Sequence, residues 1–401
     1  MKNPFTLLSI LLINMQTAQA NHQAAVNHVL AQIQSHHAYL DEQGIDMACL
    51  SRVYRQTGHL ETSGQLMTHL EQLMLEFADN HMHLQANTRD SYRLYGPIVV
   101  SKNNGGEFLL SDYHKNQLSQ PESLPVGARL VSINEQSPEA VIEAFPTRCL
   151  DKTKRKHQEW IINKTLAGIY HQPRKVVFAT TNKLLRFDLN QFKTADQPDL
   201  LTSRTEQNLG IITVNNSLGN NQLISAFDQA IDELQHTRGM VLDLRNTIGG
   251  GDSYIARAIM SRLISQTQPY QVHRFIEQYD EQPGIPRRWI EQVEPRGRHY
   301  DKPMVVLVNH WTGSMGEGLA IGLQGMGRAT VAGTKMAGLL GAVQGFDITH
   351  LSYGFQMPVE QLRRVDGTPR EQVKPDLTVL PDESAEDNVL AAAIKYLLKA
   401  L

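Results

Sequence analysis

Residues 303–322, PMVVLVNHWTGSMGEGLAIG, constrain this chain more than any other stretch. Residues 304–308 are a short, β-branched apolar run with the composition of a buried strand. A polar turn over 309–313 follows, and a helix is predicted from Met315 onward. Ser314 therefore stands where a strand has ended and a helix begins, beside the free N–H groups of the first helical turn. Two readings follow from that position. In one, Ser314 caps the helix and Glu317 closes a capping box three residues on. In the other, Ser314 is a nucleophile whose oxyanion product the nearby amides stabilise, with Gly313 and Gly316 leaving room for a carbonyl to approach.

The strand–loop–helix order recurs upstream, from Leu209. Residues 210–214 read as a strand, 224–234 as an amphipathic helix and 240–244 as a second buried strand. That strand ends in Arg245-Asn246-Thr247-Ile248-Gly249-Gly250-Gly251, and a helix is predicted over 253–264. Residues 267–302 read as a charged, proline-containing insertion, and 329–332 as a further strand before a loop over 333–341. This alternation predicts a layered α/β domain. Nearer the N-terminus, Ala25, Val29 and Ile33 fall four apart, and Leu66, Met67, Leu70, Leu73, Met74 and Phe77 form one apolar stripe. Both patterns predict a small helical cap. Between cap and core, strands are predicted at 98–100, 129–133 and 175–179, with a helix over 137–145 that has Pro138 in its first turn. Residues 152–156 read as a solvated charge run. The expected division is therefore 1–20, 21–88, 89–200 and 201–401.

A chain of 401 residues has room for such an arrangement, and its net charge of −3, with acids and bases well mixed, argues against a nucleic-acid or membrane-surface partner. The first twenty residues carry Lys2, an apolar run over 5–13 and Ala18-Gln19-Ala20. They read as a signal peptide cleaved after Ala20, too short to span a bilayer, so the mature protein is expected to be exported, periplasmic or secreted. No cysteine follows the cleavage site, so no lipid anchor and no membrane insertion are expected. Cys49 and Cys149 are the two cysteines. An oxidising compartment permits a bridge, but the expectation for two cysteines so far apart in sequence is a pair of small buried residues.

The triple glycine lies directly after a buried strand and directly before a helix, where backbone N–H groups can point into a cleft. No Gly-Lys-Ser/Thr follows, so a phosphate loop is a poor match. An oxyanion hole fits better, with one donor from Gly249 or Gly250 and the other from the Met315 N–H. The helical cap ends at Ala78-Asp79-Asn80-His81-Met82-His83. Two histidines two residues apart could share one face of a strand, but zinc needs a third ligand and none has convincing spacing. His81 is the better candidate for a general base, because imidazole titrates near neutrality, and His83 reads as an ordinary strand residue. No metal and no cofactor are expected.

Gly239-Met240-Val241-Leu242-Asp243-Leu244-Arg245-Asn246 with its glycines resembles the core motif of the tail-specific (C-terminal processing) and tricorn-core serine peptidases. So do Ser314, Glu317 and Arg328-Ala329-Thr330-Val331-Ala332-Gly333, in that order, and the resemblance runs from Tyr39-Leu40-Asp41 to Lys374-Pro375-Asp376. It implies a crotonase/ClpP-like β/α superhelix core and a protein or peptide substrate. One scheme in the family pairs the serine with a lysine, but the matching loop, Lys335 to Gly341, holds Leu339 where that lysine would stand. The other uses a histidine after the N-terminal helices, and Asp79-Asn80-His81 matches its motif. That scheme also asks for an acid near Gly367 to Asp376, for which Glu371 is the candidate, with Asp366 and Asp376 as alternatives. Residues 124–134 resemble, weakly, the carboxylate-binding loop and strand of a PDZ domain, which would capture a chain end as an added strand.

Two other readings remain. A non-catalytic protein binding peptides or hydrophobic ligands is implied by the retinoid-binding repeats that share this fold. An α/β-hydrolase esterase needs glycine two residues before its serine, and position 312 is threonine.

Overall fold

The computed structural model describes residues 4–114, 124–192, 199–277, 282–382 and 386–401, with side chains from Gln19 onward, so Lys2 lies outside the described residues. Two compact units form, each from segments discontinuous in sequence. One contains 1–95, 136–172 and 342–360, and the other contains 96–135, 173–341 and 361–401. The continuous segments expected from the sequence are thus interleaved between the two units.

The second unit is built on the strand Met304–Val308, all five of whose residues are buried. A strand buried on both faces must be covered on both. It pairs in parallel with Met240–Asp243 on one side and Thr330–Gly333 on the other. Leu209–Val214 extends the sheet in parallel, Leu201–Glu206 closes that end antiparallel, and Leu377–Thr378 forms the opposite edge. Side-chain alternation then sorts the core into two layers. Ile212, Leu242 and Val306 pack with the helices Gln222–Glu233, Ser253–Ser261 and Met315–Gly325, whereas Ile211, Val241, Val305 and Leu307 pack with Val389, Ala393, Ile394 and Leu397. The latter four lie on the C-terminal helix Asn388–Ala400. Asp243 pairs opposite Leu307, and Val308 opposite Gly333, so three parallel strands end along one rim of the sheet. Clefts form outside the carboxyl ends of such strands.

A second sheet in the same unit is antiparallel and has five strands: Ile98–Lys102, Phe108–Tyr113, Arg129–Ile133, Lys175–Ala179 and Leu184–Asp188. Residues 267–302 are not a plain insertion, because Gln268–Glu277 and Ile285–Val293 form an antiparallel hairpin. Neither strand alternates along its length, since Ile285–Arg288 are all exposed and Tyr270–His273 are all buried, so the sequence carries no period of two to read.

The first unit contains the predicted helical stripe. Ser63–Leu75 opens with a capping box between Thr62 and Gln65, and buries Leu66, Leu70, Leu73 and Met74. Arg155–Ala167 is a helix, so the charge run predicted over 152–156 leads into structure: beyond its basic first turn, Ile161, Ile162 and Leu166 are buried. The chain before the cap is helical from Pro4 to His36, continuous across Ala20. Among the described residues, no helix is long and apolar enough to cross a membrane.

Cys49 and Cys149 are bridged, with their Cα atoms 5.9 Å apart, which corrects the expectation of two separate buried thiols. A buried carboxylate accounts for the meeting. Glu76 is 2% exposed and accepts N–H bonds from Arg148, Cys149 and Leu150, as well as the Tyr54 hydroxyl. It thereby fixes the backbone around Cys149 against the end of the helix Met47–Tyr54, which carries Cys49.

Candidate active site

Ser314 lies in the second unit at the start of the helix Met315–Gly325, where φ is 51° and ψ is −111°. An L-residue is strained in that region by about 1–3 kcal/mol, so the surroundings must hold it there. They do so from both sides. The Ser314 N–H donates to Glu317 Oε2 at 2.9 Å, and the Ser314 carbonyl accepts from the Gly318 N–H at 3.1 Å. The carboxylate half of the predicted capping box is therefore formed. Ser314 itself is half-buried.

Glu317 does more than cap. It is 1% exposed, and its carboxylate also accepts the N–H groups of Gly338 at 2.9 Å and Leu339 at 3.2 Å. Burial raises its pKa, and nearby Arg370 and the three N–H bonds oppose the rise. Arg370, 3% exposed, donates from Nη2 to the carbonyls of Leu339 and Gly341 at 2.9 and 2.7 Å. One buried acid and one buried base thus hold the 338–341 loop to the start of the Ser314 helix. Leu339 is buried, and Lys335 is exposed.

The glycine loop meets Ser314 directly. Gly250 has φ +63°, and a Cβ built on it would fall 2.5 Å from Ser314 Cβ and 3.0 Å from Ser314 Oγ. Only glycine leaves that approach open. Thr247 and Thr312 zip this loop to the serine turn, since both hydroxyls donate to the Leu244 carbonyl, at 2.8 and 3.0 Å. The glycine amides, however, are engaged. Gly249 N–H donates to Asn216 Oδ1 at 2.6 Å, and Gly250 N–H donates to the Thr247 carbonyl at 3.0 Å. This differs from the open donors expected from the sequence. Met315 supplies the first amide of the helix, a position with no acceptor within the helix.

Of the acids considered, Asp376 is occupied in holding the sheet edge. Its Oδ2 accepts the Val331 N–H at 2.8 Å and its Oδ1 accepts from Gln324 Nε2 at 2.9 Å. Asp366 pairs with Arg364 and accepts the Thr368 N–H in an exposed turn. Glu371 is half-buried in the short turn Arg370–Gln372, whose backbone abuts Gly338. Of the three acids expected near 367–376, it is the one whose backbone meets the 338–341 loop.

His81 belongs to the first unit. It sits in a tight turn after the helix Ser63–Leu75, entered through Ala78 at φ +48°, and is 6% exposed. Its N–H donates to Asp79 Oδ1 at 3.1 Å, and its carbonyl accepts from Gln356 Nε2 at 3.2 Å. His83 lies in the two-residue strand His83–Leu84, paired with Gly354–Arg363. Its Nδ1 is 2.9 Å from the Asn80 carbonyl, which can only accept, so Nδ1 carries the proton, and burial lowers its pKa. Among the described residues, no group of three or more His, Cys, Asp or Glu side chains converges.

Sequence reasoning missed Asn216, Thr247, Thr312 and Arg370. Asn216 and Thr247 follow strand ends at the same rim as Ser314, which is the signal that could have found them. Arg370 carried none, because its hydrogen bonds go to backbone carbonyls 29 and 31 residues away.

A strained serine at a strand-to-helix turn, pressed against a glycine loop, is suited to nucleophilic chemistry, and the comparisons indicate a serine-type peptidase. Residues 208–379 match Peptidase family S41. Solved structures share the fold. Mature CPAF complexed with lactacystin is 14% identical, covers 95% of this chain and 97% of its own, and superposes with a TM-score of 0.64. The photosystem II D1 C-terminal processing protease is 16% identical, covers 94% and 97%, and gives 0.59.

Proposed function

We propose that this protein is an exported serine peptidase that cleaves peptide bonds with Ser314 as nucleophile, His81 as general base and Glu371 orienting the base. The observation that carries this reading is the backbone of Ser314, strained, half-exposed and anchored by a buried Glu317. In the proposed reaction His81 takes the hydroxyl proton as Ser314 Oγ attacks the substrate carbonyl, then returns it to the leaving amine. The Met315 N–H stabilises the oxyanion. Gly250 N–H supplies the second bond, which the developing charge must win from the neutral Thr247 carbonyl. A charged acceptor is favoured in that competition.

The core is read as a crotonase/ClpP-like superhelix, and the five-stranded antiparallel sheet as a PDZ-like module that holds a chain end. Export is supported by the composition of residues 1–20 and by the Cys49–Cys149 bridge, since disulfides persist in oxidising compartments. The test is a comparison of wild type and Ser314→Ala on an unstructured protein substrate. Turnover should fall by roughly 10⁴ or more with the fold intact. Unchanged turnover would leave the binding-protein alternative.

A further inference from the structure

The turn that carries His81 is held by a buried lysine with no part in the proposed chemistry. Lys164 lies on the helix Arg155–Ala167 and is 6% exposed. Its Nζ donates to Asn80 Oδ1 at 3.1 Å, while Asn80 Nδ2 donates to the Leu94 carbonyl at 2.8 Å. The Asn80 carbonyl in turn accepts from His83 Nδ1. Both ends of the Asn80 amide and its backbone are therefore committed, one residue before His81, and the next residue back, Asp79, binds the His81 N–H.

The charges around the ammonium come from three elements. Glu71, on the helix Ser63–Leu75, and Asp79, in the turn, attract it, while His83, on its short strand, has its pKa lowered partly by Lys164. Glu71 also accepts the Tyr92 N–H at 2.7 Å and feels Asp90 beyond it. The Trp160 ring lies 5.9 Å from Nζ. Burying an ammonium costs several kcal/mol unless it is paired and hydrogen-bonded. A neutral side chain could pack against Asn80 without that cost, but could not neutralise Asp79 and Glu71 together.

We infer that Lys164 is a positioning residue for the base, its ammonium locking Asn80 and Asp79 so that the turn presents His81 in one geometry. This rests on His81 being the base. Burial also lowers the lysine's pKa from 10.5 to about 8. The charged, locking form is present below that pH and is lost above it.

The experiment measures pH profiles of kcat and KM for wild type, Lys164→Met, Asn80→Ala and the double variant, with circular dichroism as the folding control. Lys164→Met should lower kcat about tenfold to a hundredfold with KM unchanged, the range for a slightly misplaced catalytic group. Wild type should lose activity on the alkaline side near pH 8, and Lys164→Met should show no such limb. The double variant should lose no more than either single one, because both remove the same lock. Histidine NMR titration in the inactive Ser314→Ala background should show a higher His83 pKa once Lys164 is removed. If Lys164→Met keeps full kcat and the alkaline limb while His81→Ala is inactive, the inference is overturned. Additive losses for the Lys164 and Asn80 variants, where Lys164→Met folds poorly, would overturn it as well. An active His81→Ala would instead sink the assignment of the base.

Discussion

Replacing Gly250 by alanine tests whether the glycine loop shapes the site or merely connects a strand to a helix. The added Cβ would sit 2.5 Å from Ser314 Cβ, where ordinary contacts begin at 3.4 Å. One of the two must retreat by about 1 Å. A displacement of that size at a reacting group costs about 10² in rate. The backbone adds a second penalty, because φ is +63° and an L-residue there costs about 1–2 kcal/mol. With about 1–3 kcal/mol for overpacking, the loss of stability comes to about 2–5 kcal/mol. At about 2–4 °C per kcal/mol this is a fall in Tm on the order of 10 °C. Gly327→Ala is the matched control: its φ is +66°, but nothing lies within 4 Å of the new Cβ. It should lose only about 2–8 °C and retain its kcat. The assay is hydrolysis of an unfolded protein substrate alongside thermal melts of both variants. If Gly250→Ala keeps kcat within twofold of wild type, the loop does not contact the reacting centre as described.

Other expected outcomes follow from the same contacts. His81→Ala should approach Ser314→Ala in lost turnover, whereas His83→Ala and Lys335→Ala should be mild, since His83 is spent on the Asn80 carbonyl and Lys335 is exposed. A lethal Lys335→Ala with an intact fold would restore a serine–lysine pair. Asp112 is buried, and desolvation raises its pKa from 3.8 to about 6. The folded form holds that proton between about pH 4 and 6 when the unfolded chain has released it, so the stability Asp112 contributes is present at low pH and lost as pH rises through 6. Asp112→Asn should match wild type near pH 4 and exceed it by about 3 kcal/mol at pH 7, as measured by denaturant unfolding at each pH. Cys149→Ser should cost about 2–5 kcal/mol, because the bridge closes a separation of 100 residues.

The parallel core was legible because its strands are buried on both faces and so read as unbroken apolar runs. Residues 304–308 were bounded to the residue, and so was 129–133 in the separate antiparallel sheet. The hairpin within 267–302 was not, since its strands do not alternate: one buries Tyr270–His273 in a row and the other exposes Ile285–Arg288 in a row. The Cys49–Cys149 bridge was equally hidden, because what brings the two together is Glu76, a glutamate indistinguishable in sequence from a surface one. At the site, Ser314, Gly250 and Glu317 announced themselves through position after a strand and spacing along a helix. Arg370 and Asn216 did not. Their work is to satisfy backbone groups brought near only by the fold, and no local pattern encodes a partner that distant.

The most direct measurement on the central claim is covalent labelling of the folded protein with a fluorophosphonate, followed by intact mass and peptide mapping. An activated serine reacts, and an ordinary helix-capping serine does not. The account predicts a single adduct on Ser314, lost in Ser314→Ala and strongly slowed in His81→Ala. An unlabelled protein, or an adduct on another residue that persists in Ser314→Ala, would contradict it.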